Sequence, residues 1–142
     1  MSRIKTIMVA VDFSTYSVKI SRYARGIAVD LGAKLVFVHV INKRNIIALK
    51  HMKVYDSKIL SVDDYIVNLK RERTEKMQKL IKETSCTNIP RKIVIRIGIP
   101  FIELIDCAEE EQVDIVVMGA KGRSDLAGFL FDRGIITITS PS

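Results

Sequence analysis

Gly119, Lys121, Gly122, Arg123 and Ser124 are the residues of this sequence whose types and spacing could hold an anion. They close the stretch Asp114 to Ser124, DIVVMGAKGRS, in which Asp114 to Met118 predict a short strand buried on both faces. Glycine at Gly119 and Gly122 permits positive φ and removes Cβ atoms, so several N–H groups can converge on one point, with Lys121 and Arg123 adding positive charge beside them. A phosphate is what such a loop would take. A strand-to-helix turn that needs glycine for its geometry fits the same residues, so two readings stand at this level. The stretch is neither of two phosphate fingerprints: no Lys-Ser or Lys-Thr follows the second glycine as in GxxxxGK[ST], and the spacing is not GxGxxG.

Asp12 is the second residue of interest, because it follows the apolar run Ile7 to Val11 and so ends a buried strand. It either meets a ligand or helps to cap the helix that follows. His39 lies inside KLVFVHVI, where a hydrogen-bonded core histidine is expected, and no Ser or Cys is spaced with it to argue a triad. No general base and no metal-binding pair of carboxylates stands near these strand ends, so no catalytic or metal residue is assigned and any phosphoryl transfer should be slow. Cys86 and Cys107 are too few for a disulfide scaffold and belong to no CxxC, which fits a reducing, cytoplasmic compartment.

The elements that position these residues follow from apolar periodicity. Ile7 to Val11 and Lys34 to Ile41 are nearly continuous apolar runs and predict central strands. Between them a helix is expected, capped by Ser14, with Ile20, Ala24, Ile27, Ala28 and Leu31 on its inner face and Gly32 as its stop. Asn42 to Leu60 has no clean period and predicts a short element or flap, of a length that is usually functional. Ser61 with Asp64 resembles a capping box for a second helix, whose stripe runs through Ile66, Leu69, Met77, Leu80 and Ile81. Arg73 interrupts that stripe, so its stem is expected along the core edge. Arg91 to Ile97 alternates, an edge-strand pattern. Gly98 ends it, and Pro100 opens a third helix with Phe101, Leu104, Ile105 and Ala108 inward. Glu109, Glu110 and Glu111 then crowd a helix carboxyl end, where the dipole disfavours them.

Strands alternating with helices mean a parallel α/β sheet with right-handed crossovers. Three central strands and one edge strand fit the order 3-2-1-4, with Ile135 to Thr139 able to add a fifth short strand, although no full helix is expected before it. Direction reverses between the first and fourth strands, so Asp12 and Gly119 flank the switch point where open α/β sheets bind ligands. That second argument favours an anion site over a plain turn.

With 142 residues, 48% hydrophobic and 27% charged, the chain reads as one globular domain, and no apolar run approaches the roughly 18 residues of a membrane span. No signal peptide is read at its start, and no membrane partner is expected. The net charge of +7 raises nucleic-acid binding, but Lys70, Arg71, Arg73, Lys76, Lys79 and Lys82 fall on one helix with no interleaved aromatics. A solvated helix face is the expectation, and nucleic acid is not an expected partner.

From Ile4 to Phe131 the chain resembles the universal stress protein family. The resemblance rests on the first strand running into Asp12, the strand ending VHVI at Val38 to Ile41, the Gly98-x-Pro100 helix entry, and DIVVMGAKGRS, in this order. It implies a flavodoxin-like three-layer α/β sandwich of the adenine nucleotide alpha hydrolase-like type, one such domain over 1–142 with an atypical or truncated end from about 132, homodimerisation and a cytoplasmic role in stress response. It also implies ATP, AMP or another adenine nucleotide as ligand, with or without magnesium, held by Val11, Asp12, Val40, Met118, Gly119, Lys121, Gly122, Arg123 and Ser124. Asp12 would approach the adenosine and the backbone of Val40 would read adenine. The alternative is a dimeric interaction or regulatory module of the same fold that binds no nucleotide.

The family's nucleotide-binding pattern is Gly-x2-Gly-x9-Gly-Ser/Thr. Gly119 and Gly122 fit its first half, whereas Asp132 and Arg133 stand where the second half has glycine and a hydroxyl, and Gly134 comes two positions late. Asp132 at the terminal phosphate predicts a flattened or reversed preference for ATP over AMP, and it predicts that Asp132→Gly with Arg133→Ser restores ATP affinity.

Overall fold

The computed structural model describes residues 3–53, 62–119 and 124–140. Strands β1 (Thr6–Ala10), β2 (Lys34–Asn42), β3 (Arg91–Gly98), β4 (Ile115–Gly119) and β5 (Ile136–Ser140) form one parallel sheet in the order β3-β2-β1-β4-β5. The register pairs Val9 with Phe37 and with Val117, Val38 with Val94, and Val116 with Thr137. The expected order 3-2-1-4 holds, the alternating strand lies outside, and the fifth strand pairs in parallel with β4.

The sheet is covered on both faces because its central strands are apolar on both. On one face α1 (Ser17–Leu31) and α3 (Val62–Glu83) bring Ile20, Ala24, Ala28, Met77, Leu80 and Ile81 onto Ile7, Val9, Leu35, Phe37 and Val117. On the other, α4 (Pro100–Glu110) and α5 (Ser124–Asp132) bring Ile105, Ala108, Leu126 and Leu130 onto Met8, Val36, Val38 and Val116. Gly32 ends α1 in the left-handed region at φ 65°, as its sequence position suggests. Arg73 does lie along the core edge, its side chain a quarter exposed.

One local expectation is sharpened and two need correction. The short element allowed for within Asn42 to Leu60 is a helix, α2 (Lys43–Lys53), whose first turn is capped by Asn42 Oδ1 accepting the Arg44 N–H at 3.0 Å. Its apolar pattern is weak, with Ile46 buried and Ile47 exposed, so the cap was the better signal. Helix α1 starts at Ser17 with Tyr16 before it and no side-chain cap. Ser14 instead shapes the preceding turn, its Oγ accepting the Tyr16 N–H at 3.3 Å. A helix does precede β5: the nine residues of α5 suffice for the crossover because Leu126 and Leu130, one turn apart, are both buried. Gly134 is that helix's stop, at φ 77°, with the Ile135 N–H returning to the Leu130 carbonyl at 2.9 Å. The capping-box residue Ser61 lies outside the described residues.

The crowded glutamates also find their reason. Glu109 pairs with Arg133 at the end of α5, Glu110 with Arg96 of β3, and Glu111 with Lys92 of β3 at 2.8 Å. Hydrogen bonding from Arg96, then its charge, holds the Glu110 carboxyl below its ordinary range. Each unfavourable charge at the helix end therefore has a cation from a neighbouring element.

Candidate functional site

β1 and β4 are neighbours whose connections leave in opposite directions, so their carboxyl ends open a crevice between the α1 side and the α5 side. Register fixes what meets there. Val9 stands beside Val117, which brings Val11 level with Gly119, and Ala10 stands beside Val38, which brings Val40 level with Asp12. Three adjacent strands thus deliver Val11, Asp12, Val40 and Gly119 to one rim. Ser124 opens α5, whose positive end faces the same way. Lys121, Gly122 and Arg123 lie outside the described residues.

The side chains divide into core and rim. Val11 and Met118 are buried, one in each core, so only their main chain can face a ligand. Gly119 does not have positive φ, and a Cβ there would sit 3.4 Å from Ile20 Cδ1, an ordinary contact. Its glycine therefore leaves space beside α1 rather than permitting an unusual backbone.

Asp12 has both of the roles weighed for it within reach. Its Oδ1 accepts the Ser14 N–H at 2.9 Å and the Ser17 hydroxyl at 3.3 Å, which ties the β1–α1 turn to the start of the helix. Burial alone would raise its pKa, but these hydrogen bonds outweigh it and the net shift is downward, so the group is a carboxylate at neutral pH. Its Oδ2 has no partner among the described residues and remains able to accept.

Main-chain polarity completes the rim. The Lys34 N–H donates to Lys5 O of the segment before β1 at 2.9 Å, and the Leu35 N–H donates to Pro90 O before β3 at 2.9 Å. Even-numbered residues of β2 therefore turn their peptide groups toward β1 and odd-numbered ones toward β3. Val38 O accordingly accepts the Val11 N–H at 2.8 Å. Val40 turns the same way, but β1 pairing stops at Ala10, and no backbone partner for the Val40 N–H is found among the described residues. A donor and an acceptor on one residue thus point into the crevice.

A model of the universal stress protein family matches residues 3–133. The chain belongs to the universal stress protein family. It is 28% identical over 136 residues to a universal stress protein of Methanocaldococcus jannaschii, covering 89% of this chain and 82% of that one. Its fold is similar to that of a universal stress protein family member from Burkholderia pseudomallei, with TM-score 0.70, 17% identity and coverage of 100% and 99%. It is also similar to the universal stress protein of Archaeoglobus fulgidus in complex with dAMP, with TM-score 0.63, 17% identity and coverage of 95% and 96%. These likenesses fix the flavodoxin-like α/β fold.

Membership in the universal stress protein family does not carry over the second half of the nucleotide pattern. Asp132 and Arg133 end α5 where β5 is about to begin, and the Ile136 N–H donates to Asp114 O at 3.0 Å at the amino-terminal end of β4. Nine helical residues span roughly 13 Å, the height of the sheet, so this pair lies at the opposite end from Gly119. Asp132 therefore does not lie beside Gly119, and Gly134 serves as a helix stop. A helix, not expected from the sequence, carries the chain from the first half-motif to the far end of the sheet.

Proposed function

We propose that this universal stress protein binds an adenine nucleotide in the crevice between β1 and β4 and acts as a ligand-responsive stress protein in the cytoplasm rather than as a fast enzyme. The observation that carries the reading is the outward-facing N–H and C=O of Val40 beside a carboxylate with one oxygen open. Adenine offers an acceptor nitrogen next to its N6 donor, the complement of that pair. Asp12 Oδ2 is suited to a ribose hydroxyl. The main chain at Gly119, Lys121, Gly122 and Arg123, and Ser124 at the start of α5, would hold the phosphates nearest the ribose. The dAMP complex of the Archaeoglobus relative supports the ligand class.

With the second half-motif at the far end of the sheet, nothing among the described residues is left to grip a terminal phosphate. ATP and AMP should bind within about tenfold of each other, since each missing hydrogen bond is worth roughly 0.5–1.5 kcal/mol. Magnesium would add little, and hydrolysis should be slow. The outer edge of β5 is unpaired among the described residues, which supports a homodimer formed along it. Titration calorimetry with ATP, ADP and AMP tests the nucleotide reading. Heats with all three are expected, and their absence at millimolar concentration would leave the interaction-module alternative.

A further inference from the structure

His39 sits one residue before Val40, with its ring on the α1 and α3 side of the sheet. Its Nδ1 is 2.8 Å from Val11 O. That carbonyl is the one to which the Val40 N–H would donate if the β1–β2 ladder ran one step further. Because a carbonyl only accepts, Nδ1 carries the proton and Nε2 is the unprotonated nitrogen of the neutral ring. Burial, the largest influence, lowers the pKa of the ring, and the neutral form is kept at pH 7. The ring is held in turn by Phe13, whose centroid lies 4.6 Å away at a tilt of 47°. Phe13 has φ 59°, a left-handed conformation uncommon for a bulky residue, and Lys76 Nζ of α3 lies 5.6 Å over its face.

We propose that His39 is a positioning residue for base recognition. Its imidazole takes the Val11 carbonyl in place of a strand partner, so the ladder stops at Ala10 and the Val40 N–H stays aimed into the crevice. Phe13 and Lys76 lock the ring and the turned-out chain in that arrangement. The two strands would otherwise close by one more hydrogen bond and remove the donor from the rim. The identity of the base rests on the adenine-nucleotide reading above, whereas the substitution of a side chain for a strand partner does not.

The test uses the full chain, native and as His39→Leu and His39→Asn. Asparagine keeps a side-chain N–H near the position of Nδ1, and leucine keeps bulk without a donor. Nitrogen-15 spectra of the native protein should show the Nδ1–H tautomer, and the Val40 amide should exchange with solvent at least about tenfold faster than the paired Val38 amide. The Nε2–H tautomer, or a Val40 amide as slow as Val38, would overturn the proposal. In His39→Leu the Val40 amide should slow toward the Val38 rate and AMP affinity should fall about tenfold, the value of one good hydrogen bond, with His39→Asn within about threefold of native. Native-like AMP affinity in His39→Leu would sink the positioning role while leaving nucleotide binding intact. Native protein that binds no adenine nucleotide would sink the functional reading, and the tautomer and amide measurements would still decide the role of His39.

Discussion

The two ends of the sheet are built on opposite plans. At the amino-terminal end, loose polar groups are tied off: Asp114 Oδ2 accepts the Lys5 N–H at 2.8 Å and the Thr6 N–H at 3.1 Å, its own N–H donates to Thr6 O, and its carbonyl accepts from Ile136. One residue thereby stitches the starts of β1, β4 and β5. At the carboxyl-terminal end the ladder is cut short, a histidine stands in for a strand, a phenylalanine is held at positive φ, and a carboxylate oxygen is left open. Among the described residues, the amino-terminal end closes its hydrogen bonds through Asp114, and the open donors and acceptors lie at the switch point.

Substitutions at each end should therefore act on different quantities. Asp114→Ala removes two charge-assisted bonds and is expected to cost about 2 kcal/mol, or roughly 5 °C in Tm, with AMP affinity unchanged once folded protein is measured. Calorimetric melting and titration on the same sample check both parts. Asp12→Ala should do the reverse. AMP affinity is expected to fall about tenfold, through loss of the proposed ribose contact and loosening of the turn, while Tm drops by only a few degrees. Equal losses in both quantities for either variant would erase the division between the two ends.

Acidity should weaken the open end first. Burial keeps His39 below its ordinary pKa of 6.5, with Arg73 and Lys76 acting in the same direction and the Val11 carbonyl and Asp12 against it. The unfolded chain binds that proton more readily than the folded one, so the contribution of His39 is complete above 6.5 and is lost as pH falls through the folded value. Tm measured from pH 8 to 5 should slope downward in the native protein and less so in His39→Asn. The stabilising effect of the Asp12 carboxylate persists to below its ordinary 3.8. The smallest expected effect is that of Asp132→Gly with Arg133→Ser. It removes the exposed pair with Glu109, worth no more than about 1 kcal/mol, and leaves the ratio of ATP to AMP affinity where it was. A selective rise in ATP affinity would bring the end of α5 back to the phosphates.

Strand order was legible because it depends on burial, and burial is written in apolar runs: two continuous ones for β1 and β2, and an alternating one for β3. Asp12 and Gly119 could be placed for the same reason, as the residues that follow buried strands. What escaped was decided by backbone paths that composition does not encode. A nine-residue helix between Ser124 and Asp132 relocates the last half-motif by the height of the sheet, yet its sequence, SDLAGFLFD, contains a glycine and reads as loop beside the glycines before it. Helix α2 has almost no stripe. The role of His39 depends on where β1 stops pairing, a difference of one residue between the strand expected to end at Val11 and the one that ends at Ala10.

The short crossover from β4 to β5 has a dynamic consequence. α5 and β5 touch the other described elements chiefly through β4, α4 and α1, so they can come away together while the other four strands stay paired. The amino-terminal turn of α5 lies at the crevice and β5 lies at the sheet edge, so a ligand bridging Asp12 and the start of α5 would clamp the whole unit. Occupancy of the crevice would then be felt at the far edge strand as slower opening, with no change in its average structure.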